Sequence, residues 1–321
     1  MKQITSVVLL LICFISAGIN YGQTDSQKKK VCITMDDLPF NRALNVSTEE
    51  MKQWVEKLLI KIKKEKIPIV AFVNENKLET NGKRDPARVD ILRMWLDAGV
   101  ELGNHAYSHK SGNLVPIEEY KEDIVKGERT INELLAEKNL KPRYFRHPFL
   151  NTGRTLEYKH EVEKFLANRG YTIAPVTIDN SEWIFAEAYD KAISSNDKEM
   201  MTKISGEYID YMKAKFMYFE RQSQNLFGRQ INQILLIHSN RLNADYFSIL
   251  CDMIRNAGYE FINLDEALKD EAYKSPDTFT GRGGISWMDR WALTQGKTKD
   301  FFAGEPRTPE YIMKYAEVDS E

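Results

Sequence analysis

Two acidic residues stand side by side in Thr34-Met35-Asp36-Asp37-Leu38-Pro39. Adjacent carboxylates repel, so a fold that keeps both must supply a cation, a proton or solvent. For the pair taken alone, a solvated turn with one Asp capping a helix is the better account. In His105-Ala106-Tyr107-Ser108-His109 two imidazoles lie four residues apart, a spacing that lets both reach one metal ion from a helical turn or a tight loop. This is not the His-Glu-x-x-His of zinc proteases, because Ala106 stands where the general-base Glu would be. Three more clusters follow: Arg146-His147-Pro148-Phe149, Asp179-Asn180-Ser181-Glu182-Trp183 and Leu236-Ile237-His238-Ser239-Asn240. Each has a plain structural reading, respectively a Pro-fixed turn with a surface Arg, a helix N-cap before a packing Trp, and a buried His held by main chain. The chain has only five His, and four of them, His105, His109, His147 and His238, fall in these clusters.

The elements that must position these groups alternate. Short β-rich runs cover Val31–Met35, Ile69–Val73, Val100–Leu102, Arg143–Phe145, Thr172–Ile178, Ile234–Ile237 and Phe261–Leu264. Between them lie helical patterns with recognisable ends. Ser47-x-x-Glu50 forms a capping box before Met51–Lys64, Asp85-Pro86 opens a helix that stops at Gly99, and Asn243–Ala257 stops at Gly258. Strands with continuous apolar character, alternating with helices, predict an α/β fold with a parallel sheet or β/α barrel. In such barrels catalytic groups gather at the C-terminal ends of strands. Asp36 and Asp37 follow the first run, His105 and His109 the third, Arg146 the fourth, Asp179 and Glu182 the fifth and His238 the sixth.

Two stretches depart from the repeat. The long interval from Ile178 to Ile234 predicts a helical insertion at about 187–228, either a cap over the barrel mouth or a solvent-facing helix pair. The tail over 271–321, with Trp287, Trp291, Phe301 and Phe302 among Gly and Pro, reads as an irregular extension packed on the barrel and not as a second domain.

The chain has 321 residues, 45 basic and 47 acidic, for a net charge of −2 and no block of one sign. That balance argues against binding to nucleic acid or to an anionic membrane. Lys2 followed by Val7–Ile15 and then small and polar residues reads as a secretory signal peptide over 1–22, cleaved between Ala17 and Gln23. Its apolar run is well short of the roughly 20 residues a spanning helix needs. A lipid anchor at Cys13 is disfavoured by the bulky Ile12 before it. The expected location is therefore periplasmic or extracellular, with no transmembrane segment in the mature chain. Cys32 and Cys251 read as small buried hydrophobes, with a single disulfide as the alternative.

Taken in order, each at a strand end, the five clusters resemble the polysaccharide deacetylase family, the NodB-homology type of carbohydrate esterase family 4, over roughly Val31 to Leu268. The resemblance implies a distorted (β/α) barrel of about seven parallel strands, spanning 30–270 as one domain. It implies a metal-dependent hydrolase that removes N-acetyl, or less readily O-acetyl, groups from an extracytoplasmic amino-sugar glycan. By motif, Asp36 matches the catalytic base, and Asp37, His105 and His109 match a metal triad that would hold a divalent ion, zinc before cobalt or nickel. Arg146 matches the Arg that orients the base, His238 the catalytic acid, and Glu182 with Trp183 an acid–Trp pair. Phe149, through its backbone N–H, Trp183 and Asp179 are the expected substrate contacts. Met35 replaces a common Phe, His147 and Phe149 stand where Pro and Tyr are frequent, and Glu182 replaces the usual Asp. Two other readings compete: the same hydrolase chemistry on a non-sugar amide, and a carbohydrate-binding protein without turnover, for which Asp36 would have no use.

Overall fold

The computed structural model describes residues 28–321, so the run read as a signal peptide lies outside the described residues. The chain opens with β1 (Lys29–Leu38), whose residues from Val31 onward are all buried. Capping then fixes α1 (Thr48–Glu65): Ser47 Oγ accepts the Glu50 N–H, as the capping box requires. After β2 (Ile69–Val73) come a small hairpin, β3 (Glu79–Thr80) with β4 (Lys83–Arg84), and then α2 (Pro86–Asp97). Asp85 caps α2 through the Ala87 N–H, with Pro86 at the first helical position, where its missing N–H costs nothing.

Next follow β5 (Glu101–Asn104), α3 (Ile117–Lys126), α4 (Arg129–Ala136), β6 (Tyr144–Phe145), α5 (Leu156–Asn168) and β7 (Thr172–Ile173). The long interval holds α6 (Glu182–Ser194) and α7 (Lys198–Phe227). The chain returns through β8 (Gln233–His238), α8 (Arg241–Asn256), β9 (Tyr259–Phe261) and α9 (Leu264–Ala267), and ends with α10 (Trp287–Thr294) and α11 (Glu310–Ala316).

Seven strands form one sheet in the order β7-β6-β5-β2-β1-β8, with β9 pairing the start of β1, and every pairing is parallel. The sheet curls into a half-barrel with helices around it, and Ile178 reaches across to bridge Leu235 of β8. All strand C-termini therefore open on one end, where the clusters of ionisable residues lie.

Two strands are shorter than the sequence predicts, for local reasons. The run Thr172–Ile178 leaves the sheet after Ile173, because Pro175 offers no N–H to the ladder; the chain re-engages only at Thr177 and Ile178, both of which donate to Ile234 O. The predicted run Phe261–Leu264 is displaced as well as shortened: β9 spans Tyr259–Phe261, and Asn263 accepts the Glu266 N–H and starts α9 instead. Cys32 and Cys251 are both buried free thiols, so the disulfide alternative is not realised.

One face of α7 is buried through Tyr208, Met212, Lys215, Phe216 and Phe219. In the tail, Trp291 is 1% exposed and sits edge-on between Phe227 and Tyr273, with ring centroids 5.7 and 5.5 Å away. Among the described residues, no helix is long and apolar enough to cross a membrane.

Candidate active site

Regular strand pleating would send Asp36 and Asp37 to opposite faces. A register shift between Met35 and Leu38, with Asp37 in the left-handed region at φ 70°, breaks that alternation, and both carboxylates line one pocket at the end of β1. His109 (φ 57°), Phe149 (φ 55°) and Leu150 (φ 54°) adopt the same conformation around this pocket. Each such non-glycine residue costs about 1–3 kcal/mol. Four of them around one pocket mark a place where side-chain aim outweighs backbone comfort.

His105 leaves β5 with its main chain tied down: Asn74 Nδ2 donates to His105 O at 2.7 Å, and Asn104 Oδ1 accepts the Ala106 N–H. Its Nδ1 lies 2.8 Å from Arg146 O. Because that carbonyl can only accept, Nδ1 carries the proton and Nε2 turns its lone pair toward the carboxylates. Nε2 stands 3.8 Å from Asp37 Oδ1, and His109 Nε2 stands 3.6 Å from the same oxygen. Burial pushes both imidazoles below the ordinary histidine range, which keeps them neutral. Asp37 is held well below the usual carboxylate range: burial opposes its charge, but the charge of Lys77 leads the electrostatic effects that outweigh burial. Lys77 Nζ lies 3.2 Å from Asp37 Oδ2, whereas Oδ1 is buried with no hydrogen-bond partner.

The donor atoms of Asp37, His105 and His109 lie within 4.8 Å of one another. An orphaned anionic oxygen facing two neutral imidazole nitrogens is the donor set that a divalent cation completes, and it fits zinc with further positions open.

Asp36 is 3% exposed, with Oδ1 unpartnered and Oδ2 3.7 Å from Arg146 Nη1. Burial pushes its carboxyl up to about 6, with Arg146 restraining the rise. Arg146 is completely buried, donates from Nη2 to Thr34 Oγ1 at 2.8 Å and lies over the Phe72 ring. It is thus an interior guanidinium aimed at Asp36, not the surface Arg of the simpler reading.

His238 ends β8 in register with Asp36, so the two project from neighbouring strands on the same side. His238 Nδ1 lies 2.8 Å from Glu182 Oε2. Glu182 is fully buried at the start of α6, and its other oxygen accepts from both Asn240 and Asn243. Burial works against a charged imidazole here, but the Glu182 hydrogen bond and charge override it and raise His238 to about 9. The longer glutamate side chain at position 182 thus reaches the imidazole directly.

Asp179, Phe149 and Trp183 also line the pocket, a cavity of about 720 Å³. Trp183 and Phe149 are 40% and 57% exposed, and the Phe149 ring meets that of His109 edge-on at 4.3 Å. His147 is the exception among the four clustered histidines. It is buried behind the pocket against Tyr120, its Nδ1 3.1 Å from the phenol oxygen, and burial lowers it to about 3. Motif reading did not single out Lys77, Asn240 or Asn243, which aim the carboxylates, nor Lys215, Glu305 and Arg307, which line the pocket from outside the strand–helix repeat. Asn240 and Asn243 follow His238 closely enough to have been found; Lys77 and Glu305 carry no local signal.

Residues 23–174 match the family described as polysaccharide deacetylase. A peptidoglycan-N-acetylglucosamine deacetylase from Bacillus cereus is 26% identical over 156 residues, 49% of this chain and 47% of that protein. The chain thus spans about half the length of this curated relative. A CE4 family pseudoenzyme from Bacillus anthracis superposes with a TM-score of 0.52 at 17% identity, covering 76% of this chain and 66% of that one. A mutant of the pseudoenzyme with restored enzymatic activity gives 0.51 at 18%, covering 76% and 69%. At such identities these structures speak to the fold alone. With the matched residues reaching from β1 through β7, the sequence matches support a polysaccharide deacetylase family for this chain, and the structural relatives share its fold.

Proposed function

We propose that the protein is a metal-dependent hydrolase that removes N-acetyl groups from an amino-sugar polysaccharide or oligosaccharide outside the cytoplasm, with O-acetyl groups as poorer substrates. The observation that carries this reading is the convergence, in one pocket, of the orphaned Asp37 Oδ1 with His105 and His109, beside a second carboxylate and a carboxylate-backed histidine. A divalent ion, zinc by preference with cobalt or nickel as substitutes, would supply a water of lowered pKa and polarise the acetyl carbonyl.

The chain's own groups divide the proton work. Asp36, its free Oδ1 facing the pocket, takes the proton of the attacking water, and Arg146 holds its other oxygen in place. His238, kept charged by Glu182, gives a proton to the departing amine, without which a poor leaving group stalls. The Phe149 N–H is assigned to the developing oxyanion, and Trp183 offers an exposed face for a sugar ring. A carbohydrate-binding protein without turnover would have no need of the Arg146 clamp on Asp36 or of the buried Glu182 behind His238.

The test is acetate release from wall glycan, chitin oligomers, acetylated xylan and small amides, with and without chelator. Release from the amino-sugar glycans that chelation abolishes and zinc or cobalt restores is expected. Release that persists in metal-free protein would sink the metal-assisted mechanism, and release from the small amides alone would move the substrate away from sugars.

A further inference from the structure

Beyond the strand-end loops, the pocket is walled by chain that the strand–helix repeat does not supply. From the insertion comes Lys215 of α7, and from the tail come Gly283, Gly284, Glu305 and Arg307. These segments are fixed. Asn113 Nδ2 donates to the carbonyls of Gly281 and Arg282 at 3.2 and 3.1 Å. Arg290, 1% exposed, donates to Leu150 O and to Thr152 Oγ1, pinning the tail to the turn that carries Phe149. Gly284 packs so tightly there that a Cβ would fall 1.6 Å from Phe149 O, an approach only glycine allows.

The far side is latched as well. Lys215, 5% exposed, reaches Glu305 Oε1 at 2.6 Å, and Gln222 Nε2 donates to Phe301 O at 2.7 Å. Insertion and tail thus meet each other as well as the barrel.

Resting on the deacetylase reading above, we infer that the insertion and tail together convert the strand-end cleft into a closed-sided pocket. It admits the acetamido sugar at the end of a chain, or a short oligosaccharide, and excludes the interior residues of a long polymer. An interior residue must have chain leaving on both sides of the reacting acetamide. The Lys215–Glu305 latch and the Gly283–Gly284 segment wall the pocket on the insertion and tail side, and a chain leaving the acetamide on that side would meet them. The volume of about 720 Å³ matches this, since pockets that enclose small ligands span ~300–1,000 Å³. The polar groups on the wall, Lys215 and Glu305 with Asp179 beside them, suit sugar hydroxyls, and Trp183 and Phe149 at the pocket supply apolar faces.

The experiment uses the full chain loaded with zinc and a length series of N-acetylglucosamine oligomers from one to six sugars, with a soluble acetylated polymer. Acetate released per chain should stay constant as the oligomer grows, and mass-spectrometric sequencing should place the free amine on a terminal sugar. Acetate that rises in proportion to length, or free amines at interior positions, would overturn the pocket and leave the deacetylase reading intact. No release from any member would overturn that reading and this inference with it. Lys215→Met fills the same buried space, leaves Glu305 accessible to solvent and breaks the latch. It should raise the ratio of polymer to dimer kcat/KM by roughly tenfold. An unchanged ratio in a folded variant would remove the latch from the account.

Discussion

Glu182→Gln is the most discriminating single change, because it alters one charge and almost no volume. Asn240 and Asn243 can still donate to the amide oxygen, so the start of α6 keeps its partners. His238 loses its carboxylate but not its burial. Its pKa, about 9 with Glu182 in place, should fall to the ordinary ~6.5 or below, a change worth about 3 kcal/mol at 1.36 kcal/mol for each pH unit. As the acid must be protonated, activity is lost as pH rises through this value. At pH 8 the protonated fraction drops from about nine-tenths to about one-thirtieth, so kcat should fall roughly 30-fold relative to the unaltered protein there, and that deficit should narrow toward pH 6, where Asp36, at about 6, begins to lose its basic form in both proteins. Stability moves with the same sign. A histidine raised on folding stabilises fully below about 6.5 and ceases to as pH passes about 9, so the Tm deficit of the variant should be large at pH 6 and vanish near pH 10. Paired pH–rate curves and thermal melts, with metal content measured alongside, decide the matter. An alkaline limb that does not move, or loss of the bound ion, would refute the assignment of His238 as an acid poised by Glu182.

Replacing His105 or His109 by Ala removes one of three protein donors, and bound zinc measured after dialysis should fall to a small fraction of that in the unaltered protein. Asp36→Asn should keep the ion, since Asp36 lies outside the three-donor set, yet lower kcat by roughly 10²–10⁴ because an amide cannot take a proton. Normal turnover in that variant would move the base elsewhere. Trp291→Ala should cost about 3–5 kcal/mol in a chemical denaturation series, because the ring is fully buried between Phe227 at the end of α7 and Tyr273; a loss under 1 kcal/mol would mean the tail is not part of the folded unit.

What the sequence disclosed follows from how far each signal travels along the chain. Most strand positions and the caps at Ser47 and Asp85 are written within a few residues and were legible to within one or two positions, although β1 runs three residues past the predicted Met35. The ends of β7 and β9 were not, because Pro175 and Asn263 act against an apolar run that otherwise looks continuous. Asp36, Asp37, His105, His109 and His238 could be singled out because the parallel topology sends every strand end to the same mouth. Whether neighbours such as Asp36 and Asp37 share a face depends on a bulge that composition does not encode. His147 carries the same local signature as the others and yet packs against Tyr120, since its direction is set by the turn at Pro148 and the helix behind it. The Lys77–Asp37 and Lys215–Glu305 pairs join residues 40 and 90 positions apart and have no local trace.

Within the pocket, one residue type is put to two uses, and the atom behind each ring determines which. His105 has a main-chain carbonyl at Nδ1, a neutral acceptor that fixes the tautomer but does too little for a positive charge to offset complete burial. His238 has a carboxylate at the same atom, itself held by two amides, and burial then strengthens the ion pair as well as penalising the charge. Under the proposed mechanism the first imidazole keeps a lone pair for a cation and the second a proton to give. Exchanging the two backing groups would place a charged ring among the metal donors and a neutral ring beside the leaving group. The side chains would remain, and neither half of the reaction could proceed.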